Sequence, residues 1–365
     1  MRISAIDIHW LRLPLAAQVA DAMTDLSSWD FIAAKVTTDD GPVGWGYNCT
    51  IGEGSEMLVT LLSKDLAPRF IGRDPFLVRR LWQEIYLDRY FTGITGVAVQ
   101  GVAAIEIALW DIIAKACGQP LWRLLGGYND NRIPAYNTNG GWLGFTEAEL
   151  IVNAKSTQQA GFCGFKMKIG KPRLSEDVTR VAAVRKAVGP DYPVMVDANG
   201  RWDFVTARRA IDAISNFNIY WFEEPVHPFD VAGHAALARA TSVPILAGET
   251  MYDPRMFRDF MVAGGMGIAQ PDVLKLGGIS GFMEVAALAR AFGLPVVPAG
   301  HNMMQLDVQL MAAIPHGLML EHIPWLEPVF VRPVRIENGH ALVPREPGAG
   351  TDVRTDAITK YGVVH

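Results

Sequence analysis

Residues 164–170 read GFKMKIG, and the same pattern, a short apolar run followed by a polar residue able to do chemistry, recurs as far as residue 322. The recurrences are PVMVDAN at 193–199, YWFEEP at 220–225, PILAGE at 244–249, IAQPDVLK at 268–275, PVVPAGH at 295–301 and GLMLEH at 317–322. The apolar runs are short, rich in β-branched or aromatic residues and bounded by Gly and Pro, which is typical of buried strands. The segments between them are amphipathic, as in SEDVTRVAAVRKAV at 175–188, and indicate helices.

Strands that alternate with helices predict an α/β fold with a parallel sheet, here closed into a barrel. RIPAYNTN at 132–139 is the expected first barrel strand. Because every strand of such a barrel ends at the same face, we expect the polar residues that follow the strands to converge at one mouth. The functional interpretation depends on this convergence.

The chain before the barrel has a different pattern. Residues 1–54 alternate as antiparallel strands do, with a hairpin signal at DDG, residues 39–41, and a polar loop expected at 16–30. From there the pattern becomes helical, with Ser55 as the expected N-cap of the first helix and a long helix expected over 97–116.

These patterns divide the chain into three parts. Strands followed by helices predict a separate α+β domain at 1–127, before the barrel at 128–325. The last part, 326–365, contains a hairpin signal at Asn338 and Gly339.

The composition is that of a globular chain with a sizeable core. Of the 365 residues 50% are hydrophobic and 19% are charged, and the net charge is −5. This charge gives no electrostatic case for binding nucleic acid or an anionic membrane, and no apolar run approaches the roughly 18 residues of a membrane span. The N-terminus lacks the pattern of a signal peptide and the three cysteines are widely spaced, so we expect a cytoplasmic protein.

Three carboxylates, Asp197, Glu223 and Glu249, end three successive predicted strands. At one barrel mouth they would repel one another strongly unless a cation lay among them. An all-oxygen donor set favours Mg²⁺ over Zn²⁺ or Cu²⁺. Any one of these acids could instead cap a helix or pair with a surface Lys or Arg, but three in successive units favour a metal site.

Lys166 and Lys168 lie two residues apart on one predicted strand and therefore point to the same side. Beside a cation and a second ammonium group, each is expected to have a lowered pKa, which suits a general base. The alternative is a solvent-facing pair on an edge strand, but a closed barrel has no edge. The flanking Phe165, Met167 and Ile169 would then face the helices.

His301 follows one predicted strand, and Asp272 belongs to the strand before it. An Asp that accepts a hydrogen bond from one imidazole nitrogen fixes the tautomer and raises the basicity of the other, so we expect a dyad. His322 adjoins Glu321 and could contribute. The remaining histidines lack such a position: His9, His227, His234, His316, His340 and His365.

Together these residues resemble the enolase superfamily and, within it, the mandelate racemase subgroup. The match consists of the Lys-x-Lys pair at 166–168, the acids Asp197, Glu223 and Glu249, and the pair Asp272 and His301. It covers nearly the whole chain, and the combination is specific where any single motif is weak. The resemblance implies a modified barrel of the (β/α)7β type, an N-terminal α+β capping domain and a C-terminal segment that returns to the cap.

The resemblance also implies a role for each site residue. The ligands of Mg²⁺ would be Asp197, Glu223 and Glu249. Lys168 would be the base on one face of the substrate α-carbon, with Lys166 beside it stabilising the substrate carboxylate. His301, oriented by Asp272, would serve the opposite face, and Glu321 would donate a hydrogen bond to the developing enolate.

Further substrate contacts are expected from Asn199 and from Trp29 of the capping domain. Met23, Leu26 and Trp29 of the cap would suit an apolar substituent of the substrate. Polar groups of the cap loops would suit a polyol: Asp21, Thr24, Asp25, Ser27, Ser28, Asn48 and Thr50. No Lys or Arg lies between residues 12 and 35, which favours a monoacid, although Arg201 or Lys171 could serve a diacid from the barrel side.

Removing a proton α to a carboxylate makes a dianionic enolate, which needs a metal and fixed donors to neutralise it. If His301 then acts as an acid on the β-hydroxyl, water leaves and a 2-keto-3-deoxy acid results. If His301 returns a proton to the α-carbon, the enzyme is a racemase or epimerase. The resemblance favours a sugar-acid dehydratase, with the racemase as the alternative and a binding protein without chemistry as the third hypothesis. The expected partners are a small-molecule carboxylate substrate and further copies of the chain in a homo-oligomer.

Overall fold

A computed structural model describes residues 1–51, 54–302 and 304–364 of the protein. It has an N-terminal sheet covered by helices, a closed ring of parallel strands surrounded by helices, and a C-terminal segment that contacts both. The predicted α/β class is confirmed: the fold is a (β/α)7β barrel with an N-terminal α+β capping domain.

The capping domain begins with a three-stranded antiparallel sheet, and the hairpin expected at DDG is confirmed. Its strands are β1 Ile3–Ala20, β2 Asp25–Thr38 and β3 Gly44–Thr50. The polar loop expected at 16–30 is wrong, because β1 continues to Ala20, which pairs with Asp25 of β2. The tip of this hairpin is partly exposed, so its polar side chains do not oppose strand pairing. Asp21 closes the tip by accepting hydrogen bonds from the backbone N–H groups of Met23 and Thr24, both at 2.7 Å.

Helices complete the capping domain. They are α1 Ser55–Leu61, α2 Ala67–Phe70, α3 Val78–Asp88, α4 Val97–Ala116 and α5 Leu121–Leu124, with a π-helical turn Leu62–Leu66 after α1. The long helix expected over 97–116 is confirmed. Ser55 is not the N-cap, because Gly54 holds that position and the Ser55 hydroxyl donates to Asp30 at 2.5 Å.

α4 is the core helix of the capping domain. Its length and composition would suffice to cross a membrane, but most of it is buried inside the protein. Gly44 and Gly46 of β3 let the sheet approach it closely, since a Cβ at either position would lie 2.2 or 2.1 Å from a backbone oxygen of the helix. Asp111 of α4 accepts hydrogen bonds from the backbone N–H groups of Trp45 at 3.0 Å and Ala349 at 2.7 Å. The charges in this apolar helix therefore bind other segments of the fold.

The barrel contains seven strand–helix units and a final strand. Its strands are β4 Arg132–Asn137, β5 Phe165–Lys168, β6 Val194–Asp197, β7 Ile219–Glu223, β8 Ile245–Ala247, β9 Ile268–Ala269 and β10 Leu320–His322. Its helices are α6 Glu147–Gln159, α7 Leu174–Val188, α8 Phe204–Ile214, α9 Val231–Ala240, α10 Pro254–Ala263, α11 Ile279–Ala291 and α12 Asp307–Ala313. The ring closes because Val296, at the seventh strand position, bridges Ala269 to Gly317 and because β10 pairs with β4.

β5 places its two lysines inside the barrel, as expected. Phe165, Met167 and Ile169 are fully buried in a cluster with apolar residues of α6 and α7. Since side chains alternate along a strand, Lys166 and Lys168 point to the opposite side, into the ring. In the next ladder Lys168 pairs with the last residue of β6, so neighbouring strands end at the same level.

The C-terminal segment contains β11 Ile336–Glu337, β12 His340–Leu342 and α13 Thr355–Tyr361. The expected hairpin is confirmed, with positive φ angles of 47° at Asn338 and 69° at Gly339. β12 pairs with β4, so the hairpin extends the barrel sheet. The cap is contacted from both sides of the hairpin: the Phe330 ring packs against Phe31 and Tyr47, and Gly362 bridges to Leu11. The domain boundaries at 127 and 325 stay predictions.

A buried carboxylate of α4 joins the capping domain to the barrel. Glu106 accepts hydrogen bonds from the backbone N–H groups of Ile279 at 2.8 Å and Ser280 at 3.0 Å, the first two residues of α11. Such groups have no partner within their own helix, so Glu106 caps α11 from another domain. Gly278, with a φ of 106°, is required here because a Cβ would lie 2.0 Å from Glu106 Oε2. Burial raises the pKa of Glu106 to about 7.

We predict that Glu106→Gln changes the pH dependence of stability. The pKa of Glu106 is raised from its ordinary 4.5 to about 7 on folding, so its contribution to stability is fully present below pH 4.5 and is lost as the pH rises through 7. The stability advantage of the wild type over the variant should therefore shrink by about 3 kcal/mol between roughly pH 4 and pH 8. Thermal unfolding of both proteins measures this, and a difference that is constant with pH would contradict the assignment.

Candidate active site

The polar residues that follow the barrel strands converge, as expected. Lys166, Lys168, Asn199, Glu249, His301 and Glu321 line a cavity of about 70 Å³ at the carboxyl ends of the strands, here called the mouth cavity, whereas Asp197, Glu223 and Asp272 do not line it. The capping domain contributes Asp21, Leu26, Trp29 and Ile51. The barrel contributes Trp142, Lys166, Lys168, Asn199, Glu249, Gly300, His301, Glu321, Ile323 and Trp325. An adjoining cavity of about 270 Å³, the side cavity, shares Trp29, Ile51 and His301 with it.

Two buried lysines hold the acids of the mouth cavity. Lys166 Nζ lies 2.9 Å from both Glu223 Oε1 and Glu321 Oε1. Lys168 Nζ lies 2.5 Å from Asp197 Oδ2. Burial lowers the pKa of Lys168, but the charges of Asp197, Glu249 and Glu223 together outweigh burial and hold this pKa above its usual value. Burial likewise lowers the pKa of Lys166, and the charges of Glu223 and Glu321 raise it above its usual value. The lowered pKa expected for both lysines beside a cation stays a prediction.

The three predicted metal ligands surround these lysines. Asp197 Oδ1 accepts a hydrogen bond from the Asn199 N–H at 2.8 Å. The Asn199 side-chain nitrogen lies 3.4 Å from Asp197 Oδ2 and 3.3 Å from Glu249 Oε1, so one amide links two of the acids. Burial, together with the charge of Asp197, raises the pKa of Glu223 to about 8. Crowded carboxylates with this mutual repulsion are ready to accept a cation.

The donor set fits a hard divalent cation, although the acids are not arranged as a chelate. Among the residues that the structure describes, no group of three or more His, Cys, Asp or Glu side chains has the spacing to hold a metal ion. Ammonium and amide groups lie between the acids instead. Asn199 Oδ1 is buried and accepts no hydrogen bond from the described part of the chain. Oxygen donors of this kind suit Mg²⁺ once the lysines release the carboxylates, so the metal site stays a prediction.

Glu321 is a hydrogen-bond acceptor in this arrangement. It accepts from the Thr138 hydroxyl at 2.5 Å and from the Gly300 N–H at 3.1 Å, in addition to Lys166. Burial alone would raise the pKa of Glu321, but the charges of Lys166 and Lys168 lower it. To donate a hydrogen bond to an enolate, Glu321 would have to be protonated. This donor role of Glu321 stays a prediction.

His301 and Asp272 form the expected pair. His301 lies in the 3₁₀ turn Gly300–Asn302, after the seventh strand position, with Nδ1 at 2.8 Å from Asp272 Oδ2. The Leu274 N–H donates to Asp272 Oδ1 at 2.8 Å, and Lys275 Nζ lies 3.8 Å from Asp272 Oδ2. Asp272 is thereby held as an acceptor for one imidazole nitrogen, which leaves the other for chemistry.

His322 is not part of the site. It follows Glu321 on β10 and therefore points to the other side of the strand. Its ring packs against Phe162, and Nδ1 lies 3.2 Å from Met304 Sδ. Burial lowers the pKa of His322 to about 4. His365 lies outside the described residues.

Only part of the predicted cap surface reaches the mouth cavity, where Asp21 and Trp29 line it. Two more of the predicted cap residues, Asn48 and Thr50, line the side cavity. The others line neither cavity: Thr24, Asp25, Ser27 and Ser28. Arg201 and Lys171 also line neither, whereas Lys275 lines the side cavity. A cation for a second carboxylate would therefore come from Lys275.

The sequence patterns did not single out several residues that hold the acids. Gln270 Nε2 donates to Glu223 Oε1 at 2.8 Å, and Trp221 Nε1 donates to Glu223 Oε2 at 3.2 Å. Trp221 lies two residues before Glu223, on the same face of the strand, and Gln270 stands in the same relation to Asp272. Thr138 follows the first barrel strand. These positions relative to the strand ends are the sequence signal that could have identified Trp221, Gln270 and Thr138. The cavity residues Trp142 and Trp325 have no comparable signal.

Comparison with known families assigns both halves of the chain. Residues 6–126 match the family described as mandelate racemase / muconate lactonizing enzyme, N-terminal domain. Residues 149–357 match the family described as enolase C-terminal domain-like. The two matches together include all the predicted site residues of the barrel.

Individual relatives align over nearly the whole chain. The L-talarate/galactarate dehydratase of Salmonella typhimurium LT2 is 34% identical over 96% of this chain and 88% of its own length. The crystal structure of L-talarate dehydratase from Polaromonas sp. JS666, complexed with Mg and L-glucarate, has a TM-score of 0.92 at 34% identity and covers 100% and 98% of the two chains. A racemase from Streptomyces coelicolor A3(2) with bound magnesium has a TM-score of 0.94 at 31% identity, covering 99% and 100%.

We predict that Gly300→Ala displaces Glu321. A Cβ at Gly300 would lie 2.5 Å from Glu321 Oε2, closer than non-bonded atoms approach, so the carboxylate must move and its bonds to Thr138 and Lys166 should lengthen. A crystal structure of the variant measures the displacement. Gly267→Ala is the matched control, because a Cβ there meets its nearest atom at an ordinary 3.4 Å. An unmoved Glu321 in the Gly300 variant would contradict the packing argument.

Proposed function

The chain belongs to the mandelate racemase / muconate lactonizing enzyme family of the enolase superfamily, and from this membership we propose that it is a Mg²⁺-dependent sugar-acid dehydratase. The reaction removes the proton α to the carboxylate and eliminates the β-hydroxyl, which gives a 2-keto-3-deoxy acid. The observation that carries the proposal is the placement of two bases, Lys168 and the Asp272–His301 pair, on well-separated strands around one cavity that Glu249 and Glu321 also line. Asp197 and Glu223 lie directly behind the lysines of this cavity.

Asp197, Glu223 and Glu249 would hold the Mg²⁺. The solved relatives with bound magnesium support this assignment, as does the all-oxygen donor set. The ion would supply the positive charge that a developing enolate needs at its carboxylate oxygens. Asp197 makes the largest of the carboxylate contributions that raise the pKa of Lys168, so engaging this carboxylate elsewhere would favour a neutral Lys168.

Lys168 would take the α-proton on its Nζ, and the electron pair of the broken C–H bond would pass to the substrate carboxylate. Lys166 would donate to that carboxylate and neutralise part of its charge. His301, protonated and oriented by Asp272, would give its proton to the β-hydroxyl as the carbon–oxygen bond breaks. Water leaves, and the resulting enol rearranges to the 2-keto acid.

A racemase or epimerase is the second candidate, and the structural likeness to a racemase from Streptomyces coelicolor favours keeping it. The same two bases would act, but His301 would return a proton to the α-carbon. Proton NMR in deuterated buffer separates the two: exchange of the α-proton without loss of water supports the racemase. A binding protein without chemistry would leave Lys168 and the Asp272–His301 pair unexplained.

The chemistry of the cavity supports a monoacid. Asp21 lines the mouth cavity from the cap and would repel a second carboxylate at that end. Lys275 in the side cavity is already engaged, since its Nζ donates to the Glu249 carbonyl at 2.9 Å. The Salmonella relative is named for two diacids, talarate and galactarate. A substrate screen that compares monoacids with diacids would decide whether this chain differs from that relative at the distal end of the substrate. The homo-oligomer and the cytoplasmic location stay predictions.

Replacing either base should separate the two halves of the reaction. Lys168→Ala should lower turnover by about 100- to 10,000-fold, the usual contribution of one proton transfer, and should abolish α-proton exchange. His301→Asn should lower dehydration by a similar factor while keeping exchange, because Lys168 remains. Turnover and exchange are measured with one panel of sugar acids. Near-native dehydration in either variant would remove that residue from the mechanism.

Glu223→Gln should weaken Mg²⁺ binding by about tenfold or more, because it removes a charged ligand. Isothermal titration calorimetry with Mg²⁺ alone measures the affinity. Glu224→Gln is the matched control, since Glu224 is the adjacent buried carboxylate and its Oε1 accepts from the Thr250 hydroxyl instead. Equal affinities in the wild type and the Glu223 variant would show that the ligand assignment is wrong.

A further inference from the structure

Three tryptophans form one wall of the mouth cavity between the two bases, here called the tryptophan wall: Trp29, Trp142 and Trp325. Trp29 stacks on His301 with ring centroids 6.3 Å apart and meets the edge of Trp325 at 5.6 Å. Trp325 stacks on Trp142 at 5.1 Å, and Lys168 Nζ lies 5.6 Å from the centroid of the Trp142 ring. The wall thus runs from His301 to Lys168 without interruption.

The indole N–H groups of the wall differ in their partners. Trp325 Nε1 donates to Asn139 Oδ1 at 3.0 Å. Trp29 Nε1 is buried and makes no hydrogen bond with the described residues. Trp142 Nε1 is buried and has no hydrogen-bond partner in the described part of the chain. Burying a hydrogen-bond donor without a partner costs free energy, and a phenyl ring in the same place would avoid this cost. A bound ligand that accepts a hydrogen bond from the indole N–H would explain why a tryptophan stands here.

The position of Trp142 is fixed by its backbone. The Lys168 N–H donates to the Gly141 carbonyl at 2.7 Å, directly before Trp142, and Arg180 Nη2 donates to the Trp142 carbonyl at 3.3 Å. The next residue, Leu143, donates its N–H to the Ala20 carbonyl of the capping domain at 2.8 Å. This loop therefore ties the strand of the predicted base to the cap. Trp142 is 5% exposed and lies on the Lys168 side of the cavity.

We propose that Trp142 is a specificity-determining residue whose indole N–H donates a hydrogen bond to a hydroxyl oxygen of the sugar-acid chain, an inference that rests on the proposed function. The substrate carboxylate is already provided for by Lys166 and by the cation that the three acids would hold. The oxygens left for Trp142 are the hydroxyls along the chain. The faces of the tryptophan wall pack against the C–H groups of the same chain, so the wall selects polyhydroxylated acids over deoxygenated ones.

The test measures binding without turnover. Lys168→Ala, loaded with Mg²⁺, is titrated calorimetrically with gluconate, galactonate, mannonate, glucarate and galactarate, and then with the monodeoxy forms of the acid that binds best. The same titrations are made with Trp142→Phe and with Trp325→Phe added to this background. Trp325→Phe is the matched control, because it removes an equal ring area from the wall but an N–H that Asn139 already satisfies.

Trp142→Phe should weaken binding of the parent acid by about tenfold, and this loss should vanish for one monodeoxy acid, the one that lacks the accepting oxygen. Trp325→Phe should weaken parent and deoxy acids alike. In ¹⁵N-labelled protein, the indole N–H resonance of Trp142, assigned by its loss in the phenylalanine variant, should move downfield when the acid binds. A loss that is equal for all acids, or an unmoved resonance, would overturn the proposal.

The proposed function fails by a different measurement. If one or more of the five acids bind but the wild-type protein forms no 2-keto acid from them, the dehydratase assignment is wrong. The Trp142 titrations then still decide whether Trp142 binds a hydroxyl oxygen of the acid. If 2-keto acid forms and the Trp142 titrations show no oxygen-specific loss, only the inference about Trp142 is wrong. If none of the five acids binds, both are wrong.

Discussion

Five ionisable groups, two lysines and three acids, are buried together at the barrel mouth, and each must have a partner of opposite charge. Lys166 and Lys168 pair with Asp197, Glu223 and Glu321, and all five side chains are less than a tenth exposed. A buried charge without a partner would be strongly destabilising. A shift in the register of neighbouring strands would separate these partners, so the cluster helps to fix the register. The same cluster gives the site its chemistry, because carboxylates that accept from ammonium groups are those that a divalent cation would take.

The capping domain is attached so that it can shape this mouth. Glu106 caps α11 from the cap side, and Asp111 binds the C-terminal segment through the Ala349 N–H. Asp21 at the tip of the β1–β2 hairpin and Trp29 on β2 line the mouth cavity from the cap side. The proposed metal ligands and bases thus come from the barrel, while groups of both the cap and the barrel loops surround the rest of the cavity.

The sequence predicted the parts of the site that follow from strand periodicity. Polar residues at strand ends had to meet because parallel strands of a barrel end at one face, and the Asp272–His301 pair followed from neighbouring strands. The pKa values of the lysines could not be predicted, because they depend on which carboxylate lies within 3 Å and not on spacing along the chain. Trp142 and Trp325 lie in loops, which have no sequence period that could identify them. At 16–30 the polar side chains conceal the strand pairing, so the sequence predicts a loop there.

The central claim is that Asp197, Glu223 and Glu249 exchange their lysine and amide partners for one divalent cation, with Lys168 and His301 left to act on opposite faces of a bound acid. A crystal structure of the Lys168→Ala variant with Mg²⁺ and a bound six-carbon sugar acid tests it most directly. We expect one ion bound by all three carboxylates at about 2.1 Å and the α-carbon of the acid between residue 168 and His301. An ion held elsewhere, or an α-carbon with both residues on the same face, would contradict the account.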